Sequence, residues 1–212
     1  MAISYYFFMA AVNDAETRPT AQRILDAAED LFAEKGYSAT SLGDVADRVG
    51  IRSPSLYNHF RNKEALYGAV LERLLDKFTA PLSALQDQAI THERIYTWLE
   101  TIVRLHHAHP NLARLLQHAA LSGGPRTDEL IEGLFSPMFA ASDDADAAQY
   151  FGALGPELQP LAAIALNNMV MSYITMAPMY RDLLGEDPLA EDAEEKQLAL
   201  ILRLARLVME QQ

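Results

Sequence analysis

Residues 41–60 read SLGDVADRVGIRSPSLYNHF and contain two short helical signals separated by a glycine. Ser41-x-x-Asp44 is typical of a helix start, because the serine can accept a hydrogen bond from a free backbone amide and the aspartate stabilises the positive helix end. Gly50 ends this helix, and Pro54 opens another, where a missing amide hydrogen does no harm. The stretch therefore predicts a helix-turn-helix whose second helix can enter a major groove of DNA.

The rest of the chain is also predicted to be helical. Apolar residues recur at spacings of three and four almost everywhere, and no segment alternates in the manner of a half-buried strand. A three-helix unit is completed by a helix that begins near Pro19 and ends at Gly36, and a longer helix starts near Lys63 and ends before Pro81. Further helices are predicted over residues 91–108, 111–121, 126–140, 157–184 and 192–210, with a bend at Pro178.

Charge and composition limit the possible partners. The net charge is −12, yet residues 17–67 carry seven basic and seven acidic side chains and are neutral. A neutral segment on an acidic chain fits a protein that meets DNA at one end only. The absence of cysteine excludes disulfides, thiolate zinc sites and thiol redox chemistry. We expect no membrane partner and a cytoplasmic location, since no apolar run reaches about 18 residues and no export signal precedes Ile3–Val12.

The predicted second helix of the helix-turn-helix is unusually rich in hydrogen-bonding side chains. A helix-turn-helix pattern alone is weak evidence for DNA binding, because any three-helix bundle contains one. Packing of this helix, however, requires only Leu56 and Phe60 on its buried face. Serine and asparagine can bond to base edges, and tyrosine, histidine and lysine can reach phosphate oxygens. The polar residues are Ser53, Ser55, Tyr57, Asn58 and His59. They favour DNA recognition over simple packing.

The motif resembles the signature of the tetracycline-repressor (TetR) family over about fifty residues. The matching residues run from Ala27-Ala28-x-x-Leu31-Phe32-x-x-x-Gly36-Tyr37-x-x-Thr40-Ser41 through Val45-Ala46-x-x-x-Gly50-Ile51 to Leu56-Tyr57-x-His59-Phe60-x-x-Lys63-x-x-Leu66. Pro54 departs from the glycine that many members carry there. Residues 1–16 are interpreted as an irregular tail, because their apolar stretch carries no export signal. The resemblance implies a helix-turn-helix DNA-binding domain over 17–62 and a helical ligand-binding and dimerisation domain over 63–212.

The resemblance also implies roles for individual residues. Thr40, Ser41, Tyr57 and Lys63 match positions that hold phosphates, and a helix start and a lysine are good anion sites. Positions matching Ser53, Ser55, Asn58 and His59 face the groove, and Arg52 stands where a long side chain can reach a base or a phosphate. A structural role at the end of the helix is an equal alternative for His59.

The last predicted helix is apolar on two faces. One stripe contains Leu198, Ile201, Leu202, Ala205 and Val208, and the other contains Leu200, Leu204 and Leu207. A helix of this kind must be buried on two sides, one against its own core and one against a partner. The helix around Met169, Met171, Tyr173 and Ile174 is similar, so a homodimer built from a four-helix interface is expected.

A small-molecule pocket is expected in the body, because methionine and aromatic residues are frequent there and methionine adapts to irregular shapes. The candidates are His107, Leu115, His118, Phe135, Met169, Tyr173 and Met176. The alternative is ordinary core packing, and the pocket depends on the resemblance. His106 and His109 are one helical turn apart, but no second pair completes a metal site. No metal and no cofactor is therefore expected.

These observations predict a repressor that a small apolar or amphipathic molecule releases from double-stranded operator DNA. The family also contains activators. An enzyme, such as a helical metal-dependent hydrolase, is the rival class, but the chain contains no Gly-x-Ser-x-Gly elbow, phosphate loop or zinc-protease helix. A helical interaction module that has lost DNA binding is the second rival, against which Tyr57 and Lys63 argue.

Overall fold

A computed structural model describes residues 18–86, 91–130, 132 and 155–209, and within these ranges it contains helices and no strand. The all-α prediction is confirmed for this part of the chain. The helices are α1 (Thr20–Ala39), α2 (Leu42–Val49), α3 (Ser53–Tyr57), α4 (Lys63–Gln86), α5 (His92–Ala108), α6 (Pro110–Ser122), α7 (Thr127–Leu130), α8 (Gly155–Thr175), α9 (Ala177–Leu184) and α10 (Glu191–Met209). None of the described helices is long and apolar enough to cross a membrane.

The chain divides after Leu71 into two compact units. The predicted boundary between residues 62 and 63 lies earlier, at the start of α4, which crosses the division. Both divisions place the helix-turn-helix in the first unit.

In the first unit, α1 packs on α2 and α2 packs on α3. The guanidinium of Arg23 donates a hydrogen bond to the carbonyl oxygen of Val49 at 2.8 Å, which joins α1 to the end of α2. Gly50 then turns the chain towards α3 with φ 73°, a left-handed conformation that glycine adopts without strain. Fully buried side chains hold the three helices together: Ile24, Ala28, Leu31, Phe32, Val45, Ala46, Leu56 and Leu66.

Two predicted helix ends differ from the observed ones. The regular part of α1 ends at Gly36 as predicted, with φ 76° and ψ 171°, but one further turn follows to Ala39. The prediction that α4 ends before Pro81 was wrong, because the helix continues to Gln86. A proline removes one amide donor without forbidding helical geometry in later residues, and Pro81 is exposed, so water can satisfy the carbonyl that loses its partner.

The second unit has a core shared by α5, α8 and α10. The buried members are Leu99, Val103, Val170, Leu198, Ile201, Ala205 and Met209. The bend predicted at Pro178 is confirmed, since α8 ends at Thr175, Met176 leaves helical geometry and Pro178 lies in the first turn of α9. Of the helix predicted over 126–140, α7 accounts for Thr127–Leu130, and most of the remainder lies outside the described residues.

His106 is buried in this unit with 3% of its surface exposed. Its Nδ1 lies 2.9 Å from the carbonyl oxygen of Ile102, and its ring meets Phe78 edge to face at 4.8 Å. Burial lowers the pKa of His106 to about 4, the hydrogen bond to Ile102 opposes this shift, and neighbouring His107 adds to it. The folded protein therefore keeps this imidazole neutral well below the ordinary pKa of 6.5.

A histidine whose pKa is lowered by folding destabilises the fold as the pH falls, because its imidazole binds a proton in the unfolded chain at a pH where it stays neutral in the folded chain. No contribution is expected above pH 6.5, and the loss develops between pH 6.5 and about 4. At about pH 5 it should reduce the free energy of unfolding by about 2 kcal/mol.

We therefore expect His106→Phe to flatten the pH dependence of the free energy of unfolding in this window, as measured by urea denaturation. The exposed His92 on the same helix supplies the control, His92→Phe, which should retain the wild-type dependence. Parallel curves for wild type and His106→Phe would show that His106 is not held neutral.

Candidate functional site

The start of α2 is held by the predicted capping box. The Oγ of Ser41 accepts a hydrogen bond from the amide of Asp44 at 3.1 Å, and the amide of Ser41 donates to Oδ2 of Asp44 at 2.9 Å. The hydrogen bond from the backbone amide of Ser41 is the main cause that lowers the pKa of the Asp44 carboxyl below its usual range, and the Ser41 side chain lowers it further. The first amides of a helix have no intrahelical acceptor, so those of Leu42 and Gly43, which line a groove, are donors at the positive end of α2.

Lys63 holds the chain segment that leads into α2. Its ammonium donates to the carbonyl oxygens of Tyr37 at 2.9 Å, Thr40 at 3.0 Å and Ser38 at 3.4 Å. It also lies 4.3 Å from the centre of the Tyr37 ring. An ammonium has three hydrogens, so these carbonyls account for all of them. The phosphate contact of Lys63 stays a prediction, and this geometry instead gives Lys63 a positioning role.

Thr40 has a similar structural role. Its side chain is only 2% exposed, and its hydroxyl lies 2.9 Å from the carbonyl oxygen of Gly36 and 3.1 Å from that of Leu31. The single hydroxyl hydrogen is used inside the unit. A phosphate contact by Thr40 also stays a prediction, whereas Ser41 beside it is exposed.

A shallow groove of about 650 Å³ opens where the start of α2 faces the end of α3. We call it the α2 groove. Its lining residues are Ser38, Ala39, Thr40, Ser41, Leu42, Gly43, Tyr57, Arg61, Asn62 and Lys63. The Tyr57 side chain is 54% exposed and Arg61 is exposed, so a hydroxyl and a guanidinium reach solvent beside the two α2 amides. Such a set of donors suits an anion.

Sequence reasoning missed part of this groove. The sequence position of Arg61, a basic residue directly after the helix-turn-helix, could have identified it as a candidate anion-binding residue. Asn62 accepts a hydrogen bond from the amide of Ala65 at 2.7 Å and so begins α4. The amides of Leu42 and Gly43 carry no side-chain signal, although the capping box marks the turn to which they belong.

The predicted base-reading residues occupy α3 and the turn after it. Leu56 is fully buried, and Phe60 is half-buried. The amides of His59 and Phe60 both donate to the carbonyl oxygen of Leu56, which extends the turn beyond the end of α3. Arg52, Ser53, Tyr57, Asn58 and His59 are exposed, and Ser55 is half-buried. The polar residues thus form the outer face of a short helix whose inner face is fixed by packing.

Three of the predicted ligand-binding residues come together in the second unit. The Nε2 of His107 lies 2.7 Å from Oε1 of Gln197, and the amide nitrogen of Gln197 donates to the carbonyl oxygen of Met169 at 3.1 Å. The ring of Tyr173 lies 6.0 Å from that of His107. Burial raises the pKa of the Tyr173 hydroxyl. This arrangement joins α5, α8 and α10.

The other predicted ligand-binding residues are more dispersed. On α6, which packs against α8, Leu115 is fully buried and His118 is half-buried. Met176 is half-buried at the break between α8 and α9, and Phe135 lies outside the described residues. Within the ranges that the structure covers, no three histidine or carboxylate side chains are placed to hold a metal ion.

The two-sided character of α10 is visible in the structure. Leu198 and Ile201 are 5% and 1% exposed, respectively. Leu200, Leu204 and Leu207, which we call the outer stripe, are 54%, 36% and 54% exposed. Leu161 and Ile164 of α8 are also exposed, at 58% and 41%. Both helices therefore bury one apolar side and present another.

Comparison with known proteins gives consistent matches. A family model described as bacterial regulatory proteins of the tetR family matches residues 24–70. The chain is 33% identical to the HTH-type transcriptional repressor Rv3405c of Mycobacterium tuberculosis over 188 residues, which are 89% of this chain and 88% of that protein. It is 50% identical to the HTH-type transcriptional repressor ComR of Escherichia coli over 56 residues, 26% of this chain and 27% of ComR.

The coverage differs among the matches. The chain spans only about a quarter to a half of the length of the Escherichia coli relatives that it matches. A solved structure, that of the ketosteroid transcriptional regulator KstR2 of Mycobacterium tuberculosis, has a TM-score of 0.69 and 24% identity and covers 88% of this chain and 95% of its own. At this identity the likeness concerns the fold.

The position of Lys63 predicts a stability defect for its replacement. Lys63→Met keeps an unbranched side chain but removes three hydrogen bonds to carbonyl oxygens, and it should lower the free energy of unfolding by about 1–2 kcal/mol. Chemical denaturation measures this change. Arg61→Met makes the same substitution at an exposed cation two positions away and should alter stability by less than about 0.5 kcal/mol. Equal effects of the two substitutions would contradict the positioning role.

Proposed function

Because this chain belongs to the TetR family of bacterial regulatory proteins, we propose that it is a homodimeric repressor that leaves its operator when its body binds a small apolar or amphipathic molecule. The observation that carries the proposal is the pairing of the α2 groove with the exposed polar face of α3, within the segment that the family model matches. The proposal assigns DNA binding to the first unit and gives the chain no catalytic role.

In this proposal, the α2 groove receives a phosphate of the DNA backbone. The amides of Leu42 and Gly43, the guanidinium of Arg61 and the hydroxyls of Tyr57 and Ser41 are the donors. Backbone amides at a helix start suit an oxyanion because they are fixed in direction. Thr40 and Lys63 support the groove from inside, where they hold the segment that precedes α2.

The exposed residues of α3 are assigned to the major groove. Asn58 can bond an adenine edge through both atoms of its amide, and Ser53 and Ser55 can bond several bases. Arg52 and His59 reach either a base or a phosphate. Phosphate contacts fix the register of the helix, and base contacts select the sequence. The burial of Leu56 supports this arrangement, because it fixes which side of α3 is presented.

Dimerisation is assigned to the outer stripe of α10 together with the exposed apolar side of α8. Two copies that pair these surfaces form a symmetric four-helix interface, which removes the exposed leucines from water. A dimer presents two DNA-binding units to one face of the duplex, where successive major grooves repeat every roughly 34–36 Å. A ligand that changes their separation therefore weakens operator binding.

The effector is assigned to the second unit, near His107, Met169 and Tyr173. The ring of Tyr173 lies 6.0 Å from that of His107, and the contacts of Gln197 with His107 and with the backbone of Met169 link three helices. Leu115, His118 and Met176 are further members of the proposed pocket. Linkage requires that the effector bind the DNA-free form more tightly than the DNA-bound form, and a coupling of about 1–3 kcal/mol changes operator affinity by about 5- to 150-fold.

Gel-shift titration with DNA from upstream of the protein's own gene tests the DNA-binding half of the proposal. Asn58→Ala should weaken the cognate operator by about 5- to 150-fold and leave nonspecific DNA almost unaffected. Arg61→Ala should weaken both and reduce the slope of log affinity against log salt concentration by about 0.9. Failure of the wild type to bind any duplex would favour an interaction module.

Lys63→Met separates positioning from direct phosphate contact in the same titration. A positioning residue should weaken operator binding without changing the salt slope, because no phosphate loses a cation. A slope reduced to the same extent as in Arg61→Ala would establish the direct contact that sequence resemblance implies.

Sedimentation velocity tests the dimer. The double variant Leu204→Glu and Leu207→Glu buries two carboxylates in the proposed interface and should sediment as a monomer or unfold. Leu121→Glu introduces the same charge at a leucine that is 79% exposed on α6, and this control should remain a dimer. A folded wild-type monomer at micromolar concentration would contradict the assignment of the outer stripe.

A further inference from the structure

The second unit buries a polar atom that has no partner among the described residues. This atom is Nε2 of His106, whose side chain is 3% exposed. The other ring nitrogen, Nδ1, is occupied by the carbonyl oxygen of Ile102 at 2.9 Å. Proteins rarely bury a polar atom without a hydrogen bond, so we expect Nε2 of His106 to have a hydrogen-bond partner.

The hydrogen bond to Ile102 determines the chemistry of the unpaired nitrogen. A carbonyl oxygen can only accept, so Nδ1 carries the hydrogen. In a neutral imidazole, Nε2 then has a lone pair and is an acceptor. Burial disfavours the imidazolium, whose second hydrogen would make Nε2 a donor, and the lowered pKa of His106 reflects this. A group that satisfies Nε2 must therefore donate a hydrogen.

The neighbouring His107 has a partner of its own. His107 pairs with Gln197, and Gln197 pairs with the backbone of Met169. Phe78 packs edge to face on the His106 ring at 4.8 Å, the His109 ring lies 6.3 Å from that of Phe78, and Val103, one turn earlier on α5, is fully buried. A partner for Nε2 thus meets one buried acceptor beside the Phe78 ring, one residue away from His107, near which the effector is assigned.

We propose that Nε2 of His106 accepts a hydrogen bond from the effector, and that the effector is a neutral, mainly apolar molecule with a hydroxyl or N–H donor. The inference rests on the proposed function, because it names the chemical class of the molecule that the body senses. An ionised carboxylate offers only acceptors and would face the lone pair of Nε2. Its burial without a cation is also unfavourable.

Matched probes test this class. The probes are 1-decanol, its methyl ether and decanoate, together with 4-phenylphenol and its methyl ether. Each ether keeps the apolar body and removes the donor. Calorimetry on the full-length wild-type protein should show each alcohol or phenol binding about tenfold more tightly than its ether, the loss expected when one neutral hydrogen bond is removed. Decanoate should bind more weakly than 1-decanol.

His106→Phe removes the acceptor and keeps an aromatic ring against Phe78. In this variant, the preference for the alcohol over its ether should disappear. The control His92→Phe makes the same change at an exposed position of α5 and should keep the preference. The imidazole ¹⁵N spectrum of the wild type provides a measurement that needs no variant: the Nε2 signal should match a bare acceptor in the free protein and should move when 4-phenylphenol is added.

Four results would overturn the inference: ethers that bind as tightly as the alcohols, a preference that persists in His106→Phe, tighter binding of decanoate, or no binding by any probe. An Nε2 signal already hydrogen-bonded in the free protein would do the same. Calorimetry and NMR use no DNA, so they remain valid if operator binding fails. If 1-decanol binds through His106 but operator affinity does not change, the inference stands, and effector-controlled release is contradicted.

Discussion

The ammonium of Lys63 lies against three carbonyl oxygens of the segment between α1 and α2, at distances of 2.9–3.4 Å. The regular helix has already ended at Gly36, and beyond it the Tyr37 carbonyl keeps the Thr40 amide as a backbone partner at 3.4 Å, while the segment takes further donors from elsewhere. Lys63 supplies them from the first residue of α4. The position of Ser41, the capping box behind it and the direction of the α2 amides depend on this contact together with the buried Thr40 hydroxyl, which lies 2.9 Å from the carbonyl oxygen of Gly36 and 3.1 Å from that of Leu31.

The same contact is tied to the core of the first unit. The Tyr37 ring beneath the Lys63 ammonium meets Tyr67 edge to face at 5.0 Å, and Tyr67 meets Phe32 in the same way at 5.0 Å. Aromatic pairs favour edge-to-face arrangements of this kind, which add to the stabilisation from burial. The α2 groove is therefore held by packed rings on one side and by charge-assisted hydrogen bonds on the other. A support of this type suits the phosphate contact that we propose for the α2 groove.

The second unit is held together mainly by apolar packing between its helices. Its helices bury one apolar side in a shared core, and α8 and α10 keep a second apolar side exposed, so the unit presents a surface suited to a second copy. Among its described residues the buried polar side chains are His106 and Gln197, and Gln197 pairs with His107 and with the backbone of Met169. Against this background, the unpaired nitrogen of His106 is conspicuous, since a neutral acceptor buried beside Phe78 has no structural task that the described residues explain.

The sequence by itself determined the helical class, the capping box, the break at Pro178 and the two stripes of α10, because each depends on residues within a turn or two of one another. Helix period, capping and proline geometry are local properties. The tertiary structure alone decided that Lys63 binds carbonyls 23 to 26 positions away, that the Thr40 hydroxyl points inward, and that Nε2 of His106 is buried without a partner among the described residues. These outcomes depend on which distant groups packing brings within about 3 Å, and no spacing pattern encodes that distance.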